Sequence, residues 1–151
     1  MTDEVPPLAR DQYGALPWRY TRRRGLRLLL ITSRTNRNWL IPKGWPMSGR
    51  SPAGAAAQEA LEEAGAYGDV SGIPLGSYRC LKLRRDGDIW PVRVTVFPLE
   101  VQGTLIDWRE SGQRERRWFS PQAAASAVIE PGLAQLLARL ADSPELLVTK
   151  D

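Results

Sequence analysis

The sequence predicts an α/β (α+β) domain in which a mixed β-sheet is flanked by helices on both faces. Two observations carry that expectation. Short apolar runs of strand length recur before, between and after helical segments opened by Ser51-Pro52, Ser120-Pro121 and Pro131. The chain has 151 residues with 42% hydrophobic and 25% charged content, which is the range of one globular domain able to bury its own core.

In chain order, residues 1–12 are polar and proline-containing and read as a flexible tail. A short strand is expected over 16–20. Leu26, Leu28, Leu29, Leu30 and Ile31 make the next run apolar enough for a buried strand ending near Ser33. Residues 34–38 are turn-like, and 39–41 give a short strand stopped by Pro42. Gly44, Pro46, Gly49 and Pro52 make 42–51 a loop. Ser51 then caps a helix with Pro52 at its first position, and Gly65 ends it.

Residues 70–84 and 89–101 read as two long strands joined through Asp86-Gly87-Asp88. Pro91 and Pro98 argue that the second of these is an edge strand or carries bulges. A short strand over 116–119 precedes a helix from Pro121. Pro131 opens a third helix, with Leu133, Leu136, Leu137 and Leu140 as its core stripe. A single domain over 13–141 with a tail over 142–151 is expected.

Several function classes are excluded. There is no histidine, so His-based proton transfer, His triads and His-ligated metals are ruled out. Cys80 is the one cysteine, so no intrachain disulfide forms and a thiolate zinc site is not expected. The longest apolar stretch is far too short to span a bilayer, and the N-terminal residues lack a secretory pattern. A soluble cytoplasmic protein without a membrane partner is expected. The net charge of +4, mostly from arginine on the basic side, suits phosphate-bearing small molecules. Nucleic acid is not the expected partner, because basic and aromatic residues are not interleaved in a run.

Glu59, Glu62 and Glu63 stand at i, i+3 and i+4, which puts them on one helical face opposite Ala56, Ala57, Ala60 and Ala64. Like charges so placed repel unless a cation lies among them. Hard oxygen donors at that spacing suit Mg2+ or Mn2+. Taken by themselves, the three also read as an ordinary solvated acidic face.

The flanking residues add a pattern. Residues 44–66, GWPMSGRSPAGAAAQEALEEAGA, resemble the Nudix box, G-x5-E-x7-REUxEExGU with U apolar. Gly44, Glu59, Glu62, Glu63 and Gly65 match its signature positions, and Arg50 and Gln58 depart from its first Glu and its Arg. The segment WLIPKGWPMSGRSPAGAA, Asp107-Trp108 and QRERRWFS (113–120) resemble the diphosphoinositol polyphosphate phosphohydrolase branch, which also takes diadenosine polyphosphates.

That resemblance implies a Nudix-type α/β/α sandwich and a divalent-metal hydrolase of phosphoanhydrides. Catalysis and metal binding would rest on Glu59, Glu62 and Glu63, with the Lys43 backbone as a further metal ligand. The clustering of basic residues, Arg22–Arg24 beside the first strand and Arg79, Lys82, Arg84 and Arg85 at the hairpin, together with Lys43 on the loop before the box, makes Lys43, Arg22, Arg24 and Arg84 the candidate substrate contacts. Among Asp107, Glu110 and Glu115, Glu115 is the expected extra acid. The competing reading is a Nudix-fold binding or regulatory module, its catalysis weakened by Arg50 and Gln58. A monomer or homodimer is expected.

Overall fold

The computed structural model describes residues 9–148. Its strands are β1 (Arg10–Thr21), β2 (Gly25–Thr32), β3 (Trp39–Leu40), β4 (Lys43–Gly44), β5 (Ala66–Val70), β6 (Gly76–Leu83), β7 (Ile89–Thr104) and β8 (Arg116–Phe119). They join in one 8-stranded sheet whose main path runs β3-β2-β1-β7-β5. The helices are α1 (Pro52–Glu59), which continues as a π-helical turn over Ala60–Ala64, then α2 (Pro121–Ala127) and α3 (Pro131–Asp142). The sheet is mixed, as expected, because β1 and β7 pair in parallel from Arg10↔Val92 to Trp18↔Glu100 while the other ladders are antiparallel.

Strand alternation sorts the core into layers. On one face Ala15, Phe97 and Leu99 receive Ala53, Ala56 and Ala60 of α1 and its π-turn. Alanines let the helix lie close to the sheet there. On the other face Leu16, Leu28, Val92, Val94 and Val96 pack against Ala124 of α2 and the α3 stripe of Leu133, Leu136, Leu137 and Leu140. The sheet is thus covered on both sides. Ser51 and Ser120 cap α1 and α2 as their sequence predicts, accepting from the Gly54 and Ala123 amides at 3.0 and 3.1 Å.

The elements differ from expectation in five places. First, β1 begins at Arg10, inside the segment expected to be tail, where Asp11 is held by Arg93 of β7 at 2.9 Å. Residues 1–8 of that tail lie outside the described residues. Second, the 42–51 loop contains β4, which pairs with β1 at Tyr13↔Gly44. Third, the expected 70–84 strand is two strands, because Gly72 and Pro74 break it between β5 and β6.

Fourth, β7 is an interior strand despite its prolines. Pro98 falls at the handover where β6 stops at Val96 and β5 starts at Leu99, so its missing N–H faces a gap between ladders. Pro91 lies one residue before pairing with β1 begins. Neither proline breaks a ladder bond. Fifth, the chain past α3 forms a 3-10 helix over Pro144–Val148 that buries Leu147, where a tail was expected. No helix of the described residues is long and apolar enough to cross a membrane.

Candidate active site

Two backbone features open the site. Gly44 ends β4 directly beneath the helix, and a Cβ built on it would collide with the Glu59 carboxylate. Only glycine leaves that carboxylate its room. At the other end Gly65 closes the π-turn in the left-handed region, with φ 63°, a conformation glycine adopts without steric cost. Single π-turns are often found at functional sites.

Between these glycines, Glu59 and Glu63 lie close enough for each to act on the other's ionisation. Glu63 is buried, and its Oε1 accepts from the Lys43 amide at 3.4 Å. Burial, opposed by Arg114 and reinforced by Glu59 and Glu110, pushes the Glu63 carboxyl up to about 8. Burial also raises Glu59, with Glu62 and Glu110 acting in the same direction. Both shifts run toward the protonated form, the direction in which burial and crowding of like charges act.

A distant segment, 105–116, wraps the π-turn and satisfies its free carbonyls. Trp108 Nε1 donates to the Glu63 carbonyl at 3.0 Å, the Glu110 amide to Glu62 O at 3.1 Å, and Arg116 to Ala64 O at 2.9 Å. The same segment brings charge. Glu110 acts on both Glu59 and Glu63. Arg114, with only 10% of its side chain exposed, contacts Glu110 Oε1 at 2.8 Å and Glu63 Oε1 at 3.7 Å. Glu62 is engaged at both oxygens, accepting from Gln58 at 2.6 Å and from Arg109 at 3.1 Å.

The structure brings some expected residues together and separates others. Glu59, Glu62, Glu63 and the Lys43 backbone share the site. The half-buried Lys43 ammonium is lowered by desolvation, with Cys80 and Glu63 acting against that shift. Arg84 lies just past β6, its guanidinium 3.8 Å over Trp90 and 5.9 Å from the ring centre of Trp45, the residue after Gly44. Arg10 covers Trp90 as well, at 3.4 Å.

Arg22 and Arg24 do not join the site. They occupy the β1–β2 turn, whereas Lys43 pairs with Gly14 at the other end of β1. Eight residues of strand separate Gly14 from Arg22, roughly 25 Å at ~3.3 Å each. Glu115 points away: its side chain is 61% exposed and pairs with Arg37 at 3.7 Å. The acid outside the helix that does approach the cluster is Glu110. Glu110 stood among the candidate acids, but Arg114 was missed, because its i,i+4 pairing with Glu110 lies outside any helix and its spacing gave no signal.

Residues 14–140 match the family model described as NUDIX domain. The chain belongs to the NUDIX family. Among curated relatives, diphosphoinositol polyphosphate phosphohydrolase 2 of Rattus norvegicus is 32% identical over 117 residues, covering 75% of this chain and 61% of that protein. Nudix hydrolase 12, mitochondrial, of Arabidopsis thaliana is 31% identical over 102 residues, 66% of this chain and 50% of that protein. The chain therefore spans about half the length of the Arabidopsis relative. Among solved structures, an Ap4A hydrolase of C. elegans superposes with a TM-score of 0.61 at 17% identity, covering 89% of this chain and 98% of that one. At that identity the likeness is one of fold.

Within the NUDIX box the two departures behave differently. Arg50 is exposed and takes part in none of the ion pairs among the described residues. Gln58 is engaged, holding Glu62. As they stand, no three carboxylates among the described residues close on a point where an ion would be held. Both Glu62 oxygens are taken up by Gln58 and Arg109. The donor set nonetheless fits a hard divalent cation. Glycine makes room for Glu59, and a cation beside Glu59 and the buried Glu63 would offset their crowded like charges.

Proposed function

We propose that this chain is a Mg2+- or Mn2+-dependent NUDIX hydrolase of a phosphoanhydride. Its substrate would be a nucleoside diphosphate-linked compound, a diadenosine polyphosphate or a diphosphoinositol polyphosphate. The observation that carries the reading is the placement of two carboxylates at the start of the helix loop: Glu59 crowded against Gly44, and Glu63 buried beside the Lys43 amide. The rat protein's name supplies the diphosphoinositol polyphosphate class, and the C. elegans protein's name, Ap4A hydrolase, the diadenosine polyphosphate class.

In this reading Glu59, Glu62, Glu63 and the Lys43 carbonyl would hold the metal, which when bound would supply Lewis-acid activation of water and charge stabilisation at the substrate phosphates. The protein's own groups supply the rest. Glu110 is oriented through Oε1 by Arg114, which leaves Oε2 to accept the proton of the attacking water. Arg84, fixed over Trp90 next to the β4 loop, grips substrate phosphate. Its stacking on tryptophan orients the guanidinium fork.

We take the protein to act as a monomer or homodimer. The reducing compartment that Cys80 suits is met in the cytoplasm, while the Arabidopsis relative's name reads mitochondrial.

The test is hydrolysis of diadenosine polyphosphates, diphosphoinositol polyphosphates and nucleoside diphosphate sugars with Mg2+ or Mn2+. Activity on at least one class is expected, together with its loss in the double variant Glu62→Gln, Glu63→Gln. Full activity in that double variant would overturn the reading.

A further inference from the structure

The geometry points to Arg114 as the positioning residue of the carboxylate cluster, supplying from outside the NUDIX box a charge that Gln58, which stands where the box has Arg, does not carry. The inference rests on the metal-site reading above and adds a residue to it.

Arg114 is fixed on three sides. Its Nε donates to Glu110 Oε1 at 2.8 Å, one terminal nitrogen donates to the Thr32 carbonyl at 3.0 Å, and the other pairs with Glu63 Oε1 at 3.7 Å. Thr32 is buried at the end of β2, and its hydroxyl accepts from the Glu115 amide at 2.9 Å, which locks the chain on which Arg114 is mounted. A planar fork held by a strand carbonyl is a rigid mount, and it aims one charge at two carboxylates.

The other candidates for that role do not meet it. Gln58 carries no charge and reaches Glu62. Arg109 also reaches only Glu62, from a side chain that is 72% exposed, where solvent weakens the pairing. Arg114 is the nearly buried cation between the box helix and Glu110. With its nitrogens committed to protein oxygens, it is not presented to substrate phosphate.

The experiment compares wild type with Arg114→Ala and Arg114→Lys, each checked for folding by circular dichroism. Mn2+ affinity is measured by titration calorimetry, and kcat and KM with Mg2+. Outer partners of metal ligands change affinity or activity by about 10- to 100-fold when removed. A loss of that size is expected in Arg114→Ala, in Mn2+ affinity and kcat, with KM nearly unchanged. Millimolar guanidinium, but not equal sodium chloride, should recover part of the Mn2+ affinity.

Arg114→Lys keeps the charge without the fork, so a smaller loss is expected. It carries the test if the alanine variant does not fold. Wild-type Mn2+ affinity in a folded variant would overturn the proposal. So would a loss confined to KM, which marks a phosphate contact. If wild type hydrolyses no phosphoanhydride, the proposed function fails while the Mn2+ comparison still decides the role of Arg114.

Discussion

Replacing Gly44 by alanine separates stability from metal binding. The new Cβ would overlap the Glu59 carboxylate and come within 3.1 Å of its Cγ. These atoms belong to the far end of a flexible side chain, so Glu59 moves and the strand does not. Gly44 has no positive φ, so alanine adopts its backbone without strain. An off-rotamer Glu59 costs about 0.5–1.5 kcal/mol. The less flexible unfolded chain returns about 0.4–1 kcal/mol. The metal-free variant should therefore match wild type to within about 1 kcal/mol.

The metal-bound state should not match. At Mg2+ 100-fold above its dissociation constant, wild type is stabilised by about 2.7 kcal/mol. If displacing Glu59 weakens binding about 100-fold, that stabilisation falls to about 0.4 kcal/mol by the same relation. Urea unfolding in EDTA and in Mg2+ measures both numbers. A Gly44→Ala protein that keeps the full Mg2+ increment would refute the placement of Glu59 among the ligands. A loss above about 3 kcal/mol in EDTA would show that the obstacle is rigid core instead.

Two further predictions concern charge. Glu63 is raised from 4.5 to about 8, so the folded metal-free protein retains a proton that the unfolded chain releases across that window. Its contribution to stability is present below pH 4.5 and declines as pH rises toward 8. Urea unfolding in EDTA at pH 5 and pH 8 should show this decline, and Glu63→Gln should flatten it. An unchanged slope in that variant assigns the decline to other groups. For substrate binding, Arg84→Ala should raise KM for a polyphosphate substrate about tenfold, the scale of a lost charge-assisted bond. Arg22→Ala with Arg24→Ala should change KM less than about twofold, because the β1–β2 turn lies far from the cluster. Equal effects of the two changes in steady-state kinetics would contradict the geometry.

The legible part of the site was contiguous in sequence. Gly44, Glu59, Glu62, Glu63 and Gly65 are fixed by spacing along one loop and helix, and the structure keeps them together. The helix caps were legible for the same reason, since Ser51 and Ser120 each bond an amide three residues on. What escaped depends on pairing across the chain. Glu110 and Arg114 meet the helix only because the segment before β8 returns to it, and apolar periodicity says nothing about that return. The interior position of β7 was hidden because Pro91 and Pro98 look like edge signals until the partners beside them are known. The π-turn was hidden because a single residue separates its spacing from that of an α-helix. Arg22 and Arg24 were chosen by type and clustering, and neither property measures distance along a strand.

The wrapping of the π-turn by residues 105–116 also sets when the site can exist during folding. Trp108 and Arg116 reach their carbonyl partners across 45 and 52 residues of chain. Contacts at such separation must first meet the entropy of closing a long loop, and they form after local ones. The helix alone can nucleate early, but the turn that carries Glu63 acquires its shape only once β7 is in place and the chain has come back to β2. On the proposed reading, affinity for a cation would therefore be a property of the closed sheet, acquired late. The box peptide excised from the domain would be a flexible acidic segment with no mould to hold it.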